Sequence, residues 1–133
     1  MRLKYNDGEW TTARFNSFIK GALRSASSRW PPRFRVLKTA SVGKRINKKS
    51  GRQAEHYRCS ACLGEFPQKD VQIDHIIPVI DPLTGFTSWD DVINNMFCEG
   101  HNLQVMCIPC HKEKTFREKQ LHAVKRHNKG KNE

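Results

Sequence analysis

The sequence predicts a small α+β protein, in which a basic helical extension precedes a core fastened by cysteines. Three observations support this prediction. Apolar residues recur at helical spacing near the N-terminus, two Cys-x-x-Cys pairs flank the central segment, and a short apolar run lies between those pairs. A chain of 133 residues has little apolar interior, so the core needs staples. We assign residues 1–55 to the extension and residues 56–133 to the core.

The residue pattern of the extension predicts two helices. Thr11 or Thr12 can cap the first, because apolar residues follow at three- and four-residue intervals over residues 15–26. Pro31 and Pro32 prevent its continuation, but they can open a short second helix.

The next stretch, "SVGKRINKKSGRQ", predicts a basic loop. Its glycine, serine and lysine residues provide no core to bury, so we expect it to be mobile until a partner binds. Later in the chain, "TSWDDVINNMF" predicts a short helix capped by Ser88, and "TFREKQLHAVKRH" predicts a terminal helix.

Charge is distributed unevenly along the chain. The net charge is +11, and residues 29–58 carry ten basic side chains against a single acidic one. Residues 70–111 contain six acidic side chains and no lysine or arginine, and the tail is basic again. Basic flanks can grip phosphates while an acidic centre holds a cation, so we expect a nucleic-acid partner. A solvated basic surface is the alternative.

The expected cellular compartment is inferred from two kinds of apolar segment that the sequence lacks. The N-terminus has no secretory apolar run, and no stretch approaches the roughly 18 apolar residues of a membrane span. We therefore expect a soluble cytoplasmic protein with no membrane partner. In a reducing compartment five cysteines favour metal binding over disulfides.

The cysteine spacing predicts a structural zinc site. Cys59 and Cys62 form one Cys-x-x-Cys pair, and Cys107 and Cys110 form the other. Four thiolates satisfy zinc without an open position. The fifth, Cys98, is interpreted as a small apolar core residue and not as a ligand.

The run "VQIDHIIPV" places Asp74 and His75 side by side in an apolar segment. A strand alternates its side chains between faces, so the pair could be one solvated residue and one core histidine. Alternatively, it marks a strand end where a reaction occurs.

Together with the paired cysteines, "IDHIIP", "NLQ" and "CHKEKT" resemble the HNH nuclease family, over about residues 57–120. Gly85, Phe86, Trp89 and Ile93 are similar to an insertion in small phage-type members. The resemblance implies a ββα-metal (His-Me) finger core and cleavage of double-stranded DNA, nicking one strand or cutting both. The setting would be a bacterial or phage-infected host cell.

Each matched residue has a chemical role under this resemblance. His75 would act as general base, since imidazole accepts a proton near neutral pH. Asp74 and His111 would hold one Mg²⁺ or Mn²⁺ ion, which would stabilise charge on phosphorus. His111 could instead be a fifth neighbour of the zinc or a polar residue on the helix face. Asn102 would restrain the loop that carries His75, although it could instead cap a turn. His101 could be a metal neighbour or a surface residue.

Two sets of basic residues are predicted to contact DNA. The first set follows from the charge of the basic loop and comprises Lys44, Arg45, Lys48, Lys49 and Arg52. The second follows from the resemblance, lies on the terminal helix and comprises Lys112, Lys114 and Arg117.

Two other classes of function compete with the nuclease. A non-catalytic, zinc-stapled DNA-binding module would share the cysteines and basic flanks, but it has no need for a base and metal ligands in an acidic centre. An RNA-binding zinc ribbon predicts exposed aromatic residues on strands, whereas the aromatic residues here mostly follow helical spacing.

Overall fold

Four helices and two small antiparallel sheets make up the part of the chain that the computed structural model describes, residues 4–131, with side chains as far as residue 124. The chain divides between Trp30 and Pro31 into two compact units. Among the described residues, no helix has the length and apolar character that crossing a membrane requires.

The elements are α1 (Thr12–Ser27), α2 (Pro31–Thr39), β1 (Ser41–Ile46), β2 (Gln53–Arg58), β3 (Glu65–Pro67), β4 (Val71–His75), α3 (Trp89–Met96), β5 (Leu103–Cys107) and α4 (Ile108–Lys131). Short 3₁₀ turns at Gln68–Asp70 and Gly100–Asn102 precede β4 and β5.

The first unit consists of a tight turn and α1. The Thr11 hydroxyl accepts a hydrogen bond from the Arg14 N–H at 3.1 Å, so the predicted cap is confirmed. Before the helix, Tyr5 and Trp10 form a bridge, and the Tyr5 ring stacks on Phe15 with a centroid distance of 3.9 Å. Aromatic packing therefore stabilises the start of α1.

The second unit begins with α2, which starts at Pro31 as the sequence predicts. The prediction of a basic loop after α2 is wrong, because β1 and β2 form an antiparallel hairpin there. Its turn is closed by hydrogen bonds between Asn47 and Arg52 and between Gly51 and Asn47. The sequence did not predict these strands because their side chains are mostly polar. Their extended conformation depends instead on pairing between strands, including that of β2 with β3.

A second sheet joins β4 to β5. Asp74 lies opposite Gln104, and His75 lies opposite Leu103. Helix α4 follows β5 without a loop and packs against both strands. The chain thus returns the first turn of α4 to the end of β4, where the candidate site lies.

Helix α3 forms as predicted, with the Ser88 hydroxyl accepting a hydrogen bond from the Asp91 N–H at 3.1 Å. It buries Val92 and Met96. A separate small core surrounds the cysteines and contains Met106, with Phe66 packed against it.

Candidate functional site

Two pairs of cysteines converge at one point of the second unit. Cys59 directly follows β2, and Cys62 lies in the turn after it. Cys107 ends β5, and Cys110 lies in the first turn of α4. The four Sγ atoms all lie within 4.8 Å of one another, so the predicted convergence of the two pairs is confirmed.

The sulfur spacing fits a tetrahedral metal ion. Zinc binds thiolate at about 2.3 Å, which places sulfurs in a tetrahedron about 3.8 Å apart. The Sγ atoms of Cys62 and Cys107 are 3.9 Å apart. The four cysteines can therefore hold a metal ion such as zinc.

The four cysteine side chains influence one another's ionisation. Burial raises the pKa of Cys59, but backbone N–H groups of Cys107, Cys62 and Ala61 donate to its sulfur and lower the pKa to about 6. A hydrogen bond with the Cys107 thiol raises the pKa of Cys110 to about 12, and burial acts in the same direction. The sulfurs cannot all ionise together unless a positive charge offsets their repulsion.

The first cysteine turn has a backbone that few residues adopt. Leu63 has a φ of +64°, and a Cβ on Gly64 would come within 2.8 Å of the Phe66 ring. The Cys59 N–H donates to the Gly64 carbonyl at 2.9 Å and closes the turn. Gly64 therefore helps to form the turn that carries Cys59 and Cys62. Sequence reasoning missed this role, which its position two residues after Cys62 could have indicated.

Asp74 is the centre of a second cluster of polar groups. Its side chain is 10% exposed, which makes it one of the few buried charged residues described. Its Oδ2 atom accepts a hydrogen bond from Gln104 Nε2 at 3.0 Å, and its Oδ1 atom lies 3.4 Å from His111 Nε2. Asp74 and His111, predicted as a pair of metal ligands, are thus brought together.

Lys114 completes this cluster. Its ammonium group lies 3.0 Å from Asp74 Oδ2, 3.0 Å from Glu118 Oε1 and 2.7 Å from the His75 carbonyl oxygen. Burial alone would lower its pKa, but hydrogen bonds and charge attraction from Asp74 and Glu118 outweigh it and raise the pKa. Lys114 therefore contributes a positive charge beside Asp74, and its contact with DNA phosphate stays a prediction.

His75 faces a different partner from Asp74. Its Nε2 atom lies 2.9 Å from the Met96 carbonyl oxygen at the end of α3. A carbonyl only accepts hydrogen bonds, so Nε2 carries the proton, and Nδ1 of the neutral ring holds the lone pair. This arrangement suits a proton acceptor.

Asn102 holds the segment that follows His75. Its side-chain oxygen accepts from the Ile77 N–H at 2.9 Å, and its carbonyl oxygen accepts from the Ile76 N–H at 2.9 Å. Its Nδ2 atom lies 3.8 Å from Cys98 Sγ, which is outside the four-sulfur cluster. The neighbouring His101 is exposed.

The basic residues predicted to contact DNA lie on two surfaces. Arg45 on β1 pairs with Glu65 at 3.3 Å, and Lys49 in the hairpin turn lies 3.6 Å from Asp70. Lys44, Lys48 and Arg52 are exposed on the same hairpin, and Lys112 and Arg117 are exposed on α4. The structure thus brings the first set together on the hairpin and leaves the second set on α4.

Sequence reasoning also missed Gln104 and Ser60, which extend the Asp74 cluster. Gln104 is opposite Asp74, so the β4–β5 register would have found it. Ser60 contacts Gln104, which lies 44 residues later in the sequence, so no local pattern reveals this contact.

Among the described residues, one group of three or more His, Cys, Asp or Glu side chains lies close enough to share a metal ion, and it comprises the four cysteines. Asp74 and His111 supply two further donors. No family model, curated protein or solved structure matches the chain in comparisons with known proteins.

Proposed function

We propose that the chain is a metal-dependent endonuclease of the HNH type, which hydrolyses phosphodiester bonds of double-stranded DNA. The observation that carries the proposal is the convergence of β4, β5 and α4 around Asp74. His111 lies 3.4 Å from Asp74, and Asn102 holds the segment after His75. This order of strand, asparagine turn, strand and helix supports a ββα-metal core.

His75 is the proposed general base. Its Nε2 proton is directed to the Met96 carbonyl, so the Nδ1 lone pair is available to take a proton from the attacking water. Asn102 restrains the backbone of Ile76 and Ile77 and thereby limits movement of His75. Asn102 acts by positioning and contacts neither the water nor the phosphate.

Asp74 and His111 are the proposed ligands of one Mg²⁺ or Mn²⁺ ion. The Asp74 carboxylate supplies the oxygen donor that these ions prefer, and the facing His111 nitrogen would be a second donor. When bound, the ion stabilises the negative charge that develops on the phosphate in the transition state. Two protein ligands would leave room for water and for a phosphate oxygen.

A non-catalytic, zinc-stapled DNA-binding module is the second candidate. One observation favours it, since Lys114 already neutralises Asp74 through a 3.0 Å contact. In that case the Asp74 cluster would be a structural ion pair that joins β4 to α4.

Wild-type protein is expected to nick supercoiled plasmid when Mg²⁺ or Mn²⁺ is added, and to lose this activity in excess chelator. The His75→Ala variant, purified in parallel, controls for contaminating nucleases. Agarose gel electrophoresis over a time course measures the conversion. DNA binding without nicking in either ion would support the binding module and refute the nuclease.

DNA affinity is expected to come largely from the hairpin and α4, since basic side chains there can release condensed counterions. The slope of log K against log salt is negative, and replacing Lys44, Arg45, Lys48 and Lys49 by glutamine should make it shallower by about 2 to 4. Exposed ion pairs such as Arg45 with Glu65 are weak enough to exchange for phosphate contacts.

The matched control for this prediction exchanges lysine and arginine at the same four positions. Charge is kept, so the slope should match wild type. Fluorescence anisotropy with a labelled duplex at several salt concentrations gives both slopes. An unchanged slope in the neutralised variant would show that the hairpin points away from DNA.

A further inference from the structure

A hydrogen-bonded chain of side chains connects the cysteine cluster to Asp74. Ser60 lies between the first two cysteines, and its hydroxyl donates to Gln104 Oε1 at 2.8 Å. At the other end of the same amide, Gln104 Nε2 donates to Asp74 Oδ2 at 3.0 Å. A residue of the metal centre is therefore linked to the carboxylate through one intervening side chain.

The direction of the Gln104 amide follows from its two neighbours. A carboxylate only accepts hydrogen bonds, so Asp74 requires the amide nitrogen. The planar amide then directs its oxygen away from Asp74, where the Ser60 hydroxyl can donate to it. Ser60 therefore adds a second hydrogen bond that restrains the amide, and without it the amide would be held only at its nitrogen end.

The cysteine turn sets the place of Ser60. The Ser60 N–H donates to the Val105 carbonyl oxygen at 2.8 Å, and the Cys62 N–H lies 3.5 Å from Cys59 Sγ. Ser60 is thus held against β5 by the turn that supplies two of the four sulfurs. The closed turn thus places its hydroxyl within hydrogen-bond distance of Gln104.

We propose that Ser60 and Gln104 are positioning residues that couple the cysteine metal centre to Asp74. The closed turn restrains the Gln104 amide, and the amide, together with the Lys114 ammonium group, holds Asp74 Oδ2 so that Oδ1 faces His111. The four-cysteine site thereby sets the affinity of the second site for its divalent ion, in addition to its part in the fold. This inference rests on the proposed function, because Asp74 and His111 must bind that ion.

The test measures Mn²⁺ affinity by calorimetry and the Mn²⁺ concentration that gives half-maximal nicking. Ser60→Ala and Gln104→Leu are each expected to weaken Mn²⁺ binding about tenfold or more, the usual effect of losing an outer-shell partner of a metal ligand. Because the two residues act in series, the double variant should bind Mn²⁺ no more weakly than Gln104→Leu alone. Zinc content and unfolding temperature should stay close to wild type.

Two further variants separate positioning from general stability. Ser60→Thr keeps the hydroxyl, so its Mn²⁺ affinity should be close to wild type. Gln72→Leu removes an exposed glutamine from β4 and should leave Mn²⁺ affinity unchanged. If Ser60→Ala does not fold, Gln104→Leu and Ser60→Thr decide the result.

The outcomes distinguish this inference from the proposed function. Wild-type protein that binds Mn²⁺ and nicks, with unchanged affinity in Gln104→Leu, overturns the coupling and leaves the nuclease intact. Additive losses in the double variant also overturn it, because they indicate two independent effects. Wild-type protein that neither binds Mn²⁺ nor nicks overturns the nuclease, and the coupling with it.

Discussion

Replacing Cys59 by serine (Cys59→Ser) is expected to release the cysteine-bound metal ion and unfold the second unit. Cys59 is fully buried and shares one cluster with three other sulfurs. Structural zinc contributes about 10 to 16 kcal/mol in small zinc domains, which equals or exceeds the roughly 5 to 15 kcal/mol net stability of a domain. The described buried apolar residues are few, so packing alone cannot replace that contribution.

Elemental analysis and circular dichroism check this result. Cys62→Ser is the informative companion, because Cys62 is exposed and its loss removes a ligand with little loss of packing. Cys98→Ser is the control and should keep both metal and fold, since Cys98 lies outside the cluster. Wild-type protein without bound zinc, or a folded Cys62→Ser variant without metal, would contradict the prediction.

Removing the proposed base and removing a proposed metal ligand are expected to have different effects on nicking. In His75→Ala the attacking water loses its proton acceptor, so the rate should fall by about 10² to 10⁴. Divalent-ion affinity should be nearly kept, because Asp74 and His111 remain. In His111→Ala the ion loses a protein ligand, so its affinity should fall first, and added Mn²⁺ should restore part of the activity.

Calorimetric Mn²⁺ titration beside a nicking time course measures both effects. His75→Gln keeps a side-chain donor for the Met96 carbonyl but has no basic nitrogen, so it should lose as much rate as His75→Ala. His122→Ala, at an exposed position on α4, is the matched control and should behave as wild type. Zinc content and DNA affinity should be unchanged throughout. Loss of Mn²⁺ binding in His75→Ala with retention in His111→Ala would refute the assigned roles.

Local signals in the sequence were enough to predict several elements. The Thr11 cap, the start of α2 at Pro31 and the Ser88 cap each depend on a few adjacent residues. The basic hairpin was missed because its order comes from pairing between strands. Hydrogen bonds of its turn and the pairing of β2 with β3 stabilise strands whose sequence alone resembles a loop.

The sequence by itself determined the four-cysteine cluster. Each Cys-x-x-Cys turn directs two thiolates to one point, and four thiolates together complete one metal site. The sequence also determined which side chains were candidates for the Asp74 site. Only the tertiary structure decided their partners. The β4–β5 register places Gln104 opposite Asp74, and α4 brings Lys114 to the same carboxylate. These contacts depend on how distant segments pack, so no local pattern of residues could predict them.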